Sequence, residues 1–127
     1  MAKDYKFYNS DSNFEGPFKL TKEILADKRF DNSGNYILAD SNFFGAKKIK
    51  YVGRGDLRNR LTRRIGKYQY FYFKINNNDS RSFHTECREF HRYGKANYLD
   101  NKVHPARPEP QHKYPLCTEV GCNGEAK

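Results

Sequence analysis

Between Gly34 and Gly66 the period of the apolar residues changes once, and that change dictates the local architecture. Asn35-Tyr36-Ile37-Leu38-Ala39 and Ile49-Lys50-Tyr51-Val52 are short runs rich in β-branched and aromatic residues, the composition of strands. Asp40-Ser41-Asn42 and Gly45 supply turn chemistry between them, so the pair reads as a hairpin with a long loop. After Gly53 and Gly55 the spacing becomes helical: Leu57, Leu61 and Ile65 recur every four residues. Asp56 stands at the N-cap and Gly66 at the C-terminal stop. The unit is strand, loop, strand and basic helix.

Charge concentrates on the same unit. The 127-residue chain has a formal net charge of +9, and nine Lys/Arg against one acid, Asp56, fall between Lys47 and Lys67. A patch this lopsided favours a polyanion, and nucleic acid is the partner it fits. A solvated basic face is the bland alternative. The length suits one domain with a modest core. There is no 18-residue apolar run and no signal-like N-terminus, so a cytoplasmic protein without a membrane segment is expected. Three cysteines suit a reducing compartment better than a disulfide framework. Cys117 and Cys122, with His104 and His112 upstream, offer zinc donors but lack the close C-x2-C pair, and free thiols are the simpler reading.

Residues 1–19 carry Tyr5, Phe7, Tyr8, Phe14 and Phe18 and suit an extended arm whose aromatics pack on the domain. Leu20 to Arg29 reads as a short helix capped by Thr21, with Leu20 and Leu25 at hydrophobic-staple positions. Tyr68 to Ile75 is the strongest strand signal and, apolar on both faces, a central one. Ser82 to Tyr93 is helical again, with Gly94 at its stop. Phe83, Cys87, Phe90 and Tyr93 share a face that includes Glu86, whereas Glu89 falls at its edge. An acid on an apolar face needs a cation or metal, which singles out Glu86. His84 and His91 read as polar surface. Pro105 to Pro115 marks an extended tail.

The tripeptides Gly34-Asn35-Tyr36 and Tyr51-Val52-Gly53, an arginine on the next helix, a glutamate on a later helix and a downstream asparagine occur here in order. This arrangement resembles the GIY-YIG endonuclease family over about residues 34 to 104. The resemblance implies an α/β domain of the α+β type, with a three-stranded, mainly antiparallel sheet flanked by helices. Residues 1–33 form an N-terminal extension and residues 105–127 a tail. It implies cleavage of double-stranded DNA with Mg²⁺ or Mn²⁺ held by Glu86. Tyr36 would act as, or orient, the base on the attacking water, and Tyr51 would support water or phosphate. Arg60 would stabilise the transition state and Asn101 would fix the site's architecture.

Two features depart from the family pattern. Asn35 replaces an apolar residue, which an exposed strand position could tolerate, and the loop from Ile37 to Lys50 is somewhat longer than the family norm. Where a basic or imidazole group often follows the family arginine by one turn, this chain has Arg64, which leaves proton handling to Tyr36 and water at the metal. Arg60 and Arg64 share one flank of the helix and suit two contacts to a phosphate. Arg54, Arg58, Arg63, Lys48 and Lys50 are the further DNA-binding candidates. One site cuts one strand per encounter, so a double-strand cut calls for a homodimer or two turnovers. The rival reading is a nucleic-acid-binding module that kept the fold and lost catalysis; a third is a basic structural protein.

Overall fold

In the computed structural model, which describes residues 6–10, 13–101 and 105, four strands form one antiparallel sheet. They are β1 (Glu15–Lys19), β2 (Ser33–Ser41), β3 (Lys47–Asp56) and β4 (Tyr70–Ile75), in the spatial order β1-β4-β2-β3. The α+β class stands, but the expected three strands become four. The added strand lies within the stretch read as an N-terminal extension. Gly16-Pro17 in its middle looks like a turn signal; Pro17 is tolerated because β1 is an edge strand with irregular register between Glu15 and Phe18. The Pro-rich tail beyond Pro105, with His104 before it and His112, Cys117 and Cys122 within it, lies outside the described residues, as do the zinc and free-thiol readings of these groups. Among the described residues no helix is long and apolar enough to cross a membrane.

The two internal strands, β2 and β4, are buried on both faces and divide the core into two layers. Successive strand residues point to opposite faces. Tyr36 and Leu38 therefore join Phe71, Phe73, Leu57, Leu61, Leu25 and Phe30 on one side. Ile37 and Ala39 join Ile49, Val52, Tyr72, Phe90, Tyr93 and Leu99 on the other. The expected aromatic arm is there in part. Tyr8 stacks on Tyr72 with centroids 3.9 Å apart, Phe14 is buried, and Phe18 packs near Phe71 and Phe73.

The first layer is closed by α1 (Lys22–Leu25), a 3₁₀ turn at Lys28–Asp31, and α2 (Leu57–Thr62). The Thr21 and Asp56 side chains cap α1 and α2 as expected, accepting from Ile24 N at 3.3 Å and Asn59 N at 3.1 Å. Both helices are shorter than the periodicity suggests. Beyond Thr62 the chain turns so that Ile65 bridges Tyr68 while still packing on this layer, and Gly66 takes a left-handed φ of 88°. The second layer is closed by α3 (Asp79–Arg92), which begins before Ser82 because the Asn78 side chain accepts from Arg81 N at 2.9 Å. The polar run from Asn76 to Asp79 thus both ends β4 and starts α3.

The loop of the β2–β3 hairpin is short, not long: the ladder continues to Ser41↔Lys47, and only residues 42–46 lie outside it. Asp40 and Ser41, read as turn residues, belong to the strand. A register shift after Leu38 places an extra residue in β3.

The outer edge of β3 is covered. Phe7 bridges Lys48, and Asn101 closes a two-way clamp on Val52, donating from Nδ2 to its carbonyl at 2.7 Å and accepting from its N–H at 3.0 Å. Asn101 is buried, so its truncation leaves two backbone groups without partners. Asn101→Ala is expected to lower stability in urea denaturation by about 2–4 kcal/mol. Asn101→Asp should recover little, because a carboxylate cannot donate to the Val52 carbonyl.

Candidate active site

Two glycines of β3, Gly53 and Gly55, two positions apart, make room for two side chains. Gly53 pairs with Tyr36, and the phenol lies across it: a Cβ on Gly53 would sit 2.4 Å from Tyr36 Cζ and 2.5 Å from its hydroxyl oxygen. At Gly55 a Cβ would sit 2.8 Å from Arg60 Nε. The glycine of the second tripeptide is therefore a space requirement of the tyrosine of the first. Gly34 is required for a different reason, since its Cβ would meet the Lys74 carbonyl of the neighbouring strand at 2.1 Å.

Tyr51 precedes Gly53 by two and faces the same way; its ring is near-parallel to that of Tyr36, at 6.3 Å between centroids. The Arg64 guanidinium lies 4.3 Å above the Tyr51 ring. Tyr36, Tyr51, Arg60 and Arg64 thus gather on the α2 side of β3. The opposite side holds Arg54, which pairs with Glu86 on α3 and lies 5.3 Å over the Phe83 ring. The two groups are electrostatically coupled. Burial pushes the Tyr36 phenol up to about 12; Tyr51 and Glu86 push the same way, and Arg64 and Arg60 oppose. Burial also raises the Glu86 carboxyl above the carboxylate range, against Arg54 and Arg60.

A phenol held at about 12 is almost wholly protonated at neutral pH, with on the order of one molecule in 10⁴–10⁵ ionised. In this state Tyr36 is a hydrogen-bond donor, suited to orienting water or phosphate rather than to taking a proton. Among the described residues no group of three His, Cys, Asp or Glu is placed to hold a metal. Glu86 alone still fits a hard divalent cation, because Mg²⁺ commonly takes one or two carboxylates and fills the rest with water and phosphate. Arg54 does not offset the burial of this carboxylate, and a further cation would relieve it.

Several site expectations need revising. Asn35 is buried, 1 % exposed, and donates to the Ser82 carbonyl at 2.8 Å across the interface with α3. A polar residue suits that strand position because an α3 carbonyl faces it. Glu89 is not at the edge of the buried face: it is 1 % exposed against 8 % for Glu86, and its Oε2 lies 2.8 Å from Arg92 Nε. The sheet and its neighbours cover a wider arc of α3 than one apolar stripe. That N–H does not point at the oxygen, so Glu89 has an ion pair without a well-formed hydrogen bond. What separates the two acids is therefore their electrostatic surroundings: Glu86 pairs with Arg54 and interacts at longer range with Arg60 and Tyr36 across β3, whereas Glu89 pairs with Arg92 and interacts with Arg88 and Lys74.

The proposed DNA-binding cations also divide. Arg58 is committed to the fold, donating to the Leu25 carbonyl at 2.9 Å and the Asp27 carbonyl at 2.7 Å and pairing with Asp31. Lys50 pairs with Asp40 at 3.0 Å, and Arg54 is held by Glu86. Arg60 and Arg63 are exposed, whereas Arg64 and Lys48 are partly covered. The three ion pairs join residues 10 to 32 positions apart, so sequence spacing does not show them. His84 and His91 lie against their neighbours Phe83 and Phe90 on α3. Comparison of the chain with protein-family models, with curated proteins and with solved structures found no match.

Proposed function

We propose that the chain is a metal-dependent endonuclease that hydrolyses DNA phosphodiester bonds. The observation that carries this reading is the gathering, around one strand, of two tyrosines, two arginines and a buried carboxylate that pairs with a third arginine. Phosphodiester hydrolysis needs cations where negative charge builds up and a group that aligns the attacking water. Arg60 and Arg64 supply the cations, with Arg60 suited to bidentate contact with phosphate oxygens. Tyr36 and Tyr51 present hydroxyls beside them; Tyr36 orients the water as a donor. Asn101 holds β3 at Val52, next to Gly53, and keeps the glycine shelf in register. A divalent ion at Glu86 would supply further charge stabilisation. Double-stranded DNA is the proposed substrate, and a homodimer would serve for cutting both strands.

One observation favours the rival, a binding module without catalysis: the carboxylate proposed for the metal is already paired with Arg54. The two readings separate on supercoiled plasmid incubated with Mg²⁺ or Mn²⁺ beside an EDTA control. The nuclease converts it to nicked or linear forms only with metal, and Arg60→Ala slows this by about 100-fold or more. Arg60 is exposed, so the variant should fold normally. Wild-type protein that retards DNA on a gel without ever cutting it would leave the binding module.

A further inference from the structure

The tip of the β2–β3 hairpin carries two phenylalanines that the fold does not use. Phe43 is 96 % exposed and Phe44 88 %, far more than any other large apolar residue named in the core or at its margin. The loop nevertheless holds them in a defined position. Asn42 Oδ1 accepts from Phe44 N at 2.9 Å and Ala46 N at 2.8 Å, and Gly45 N donates to the Asn42 carbonyl at 3.0 Å. The rings stand edge to face, 5.3 Å between centroids. Adjoining the tip, the Lys47 ammonium donates to the Gly45 carbonyl at 2.8 Å and lies 4.4 Å over the Tyr70 ring. Lys48 follows it at the start of β3. Holding two rings in water lowers no energy of the fold, so a partner is the physical reason for a braced loop of this kind.

The geometry points to duplex DNA as that partner, with the Phe43–Phe44 tip acting as an apolar wedge at a base step. Apolar wedges that unstack a step are a known device of proteins that grip DNA by its charge. The neighbouring charge fits: the tip opens the lysine-rich start of β3, the strand whose far end carries the site, in a chain of net charge +9. Only one of two perpendicular rings enters a step, and the other covers the exposed base edge. Roughly seven strand residues separate the tip from Arg54, a span of about 20–25 Å or six to seven base pairs. The wedge would bend the duplex at that distance from the cut. This inference rests on the DNA-binding reading of the site.

The test uses full-length protein and duplexes carrying 2-aminopurine at successive positions, with Ca²⁺ in place of Mg²⁺ to limit cutting. Wild-type protein should raise the fluorescence at one position, and Phe43→Ser/Phe44→Ser should abolish that signal and weaken binding at least about fivefold. Both residues are exposed, so the variant's melting temperature should match wild type. Wild type that binds the duplex with no position responding, or a variant with unchanged affinity and signal, would overturn the wedge and leave the DNA reading standing. Wild type that binds no duplex would remove the reading beneath it. Anionic phospholipid vesicles form a control arm: vesicle binding lost in the variant while DNA binding is unchanged would also overturn the wedge, in favour of a membrane contact.

Discussion

Gly53→Ala is expected to abolish plasmid cleavage, by about 100-fold or more, and to lower stability by about 1–3 kcal/mol. The backbone at Gly53 lies outside the left-handed region, so the cost is not conformational. It is steric. The added methyl would lie 2.4 Å from Tyr36 Cζ, well inside van der Waals contact, and the ring is buried among Leu38, Leu57, Leu61 and their neighbours. A ring with two torsions inside a packed layer cannot yield by a whole contact radius without leaving its place. Either Tyr36 is displaced, or β3 moves away from β2. Both separate the phenol from Arg60 and Tyr51. Gly53→Ala/Tyr36→Leu identifies the cause: the smaller side chain should restore most of the lost stability, while cleavage stays absent. A coupling energy near zero between the two substitutions would mean that the glycine does not serve the tyrosine. Gly45→Ala is a useful contrast, because Gly45 has a positive φ of 85° but nothing within 4 Å, and only a modest backbone penalty is expected.

The same pair shows what was legible in the sequence. The strand cores at 35–39, 49–52 and 70–75 could be read from local composition, although the last was expected to begin at Tyr68, and the caps at Thr21 and Asp56 from side chains that bond within three residues. That Gly53 and Tyr36 are one packing unit could not, because it depends on register across a hairpin. β1 was hidden by Gly16-Pro17 and by a mostly exposed strand that shows no alternation. The burial of Asn35 depends on a carbonyl 47 residues away, which no local pattern reports. Charge density drew attention to the segment from Lys47 to Lys67, but it could not say which cations were already paired. Arg58 reads as a DNA contact from its neighbours in sequence and turns out to tie α2 to the Asp27–Asp31 turn.

Glu86→Gln should leave the protein without cleavage activity, yet at least as stable as wild type at pH 7.5. The sign follows from proton linkage. The folded-state carboxyl is raised above its ordinary value of 4.5, so the folded protein holds this proton more tightly than the unfolded chain does. Its stabilising contribution is complete below the unfolded value and is lost as pH rises through the raised folded value. Above that point the ionised side chain is a standing cost. Glutamine mimics the protonated carboxyl, keeps an oxygen to accept from Arg54, and cannot ionise. The two proteins should therefore unfold alike near pH 4, and the variant should be the more stable of the two above pH 7. Glu89, raised by burial against Arg92, Arg88 and Lys74, adds the same trend to both proteins and cancels in the comparison. If Glu86→Gln instead loses stability at neutral pH and wild type never cuts, the pair with Arg54 is a structural ion pair, and the carboxylate serves the fold. Opposite signs in the two readouts would mean that the fold tolerates an under-neutralised buried charge because the reaction needs it, the pattern expected of a site rather than of a scaffold.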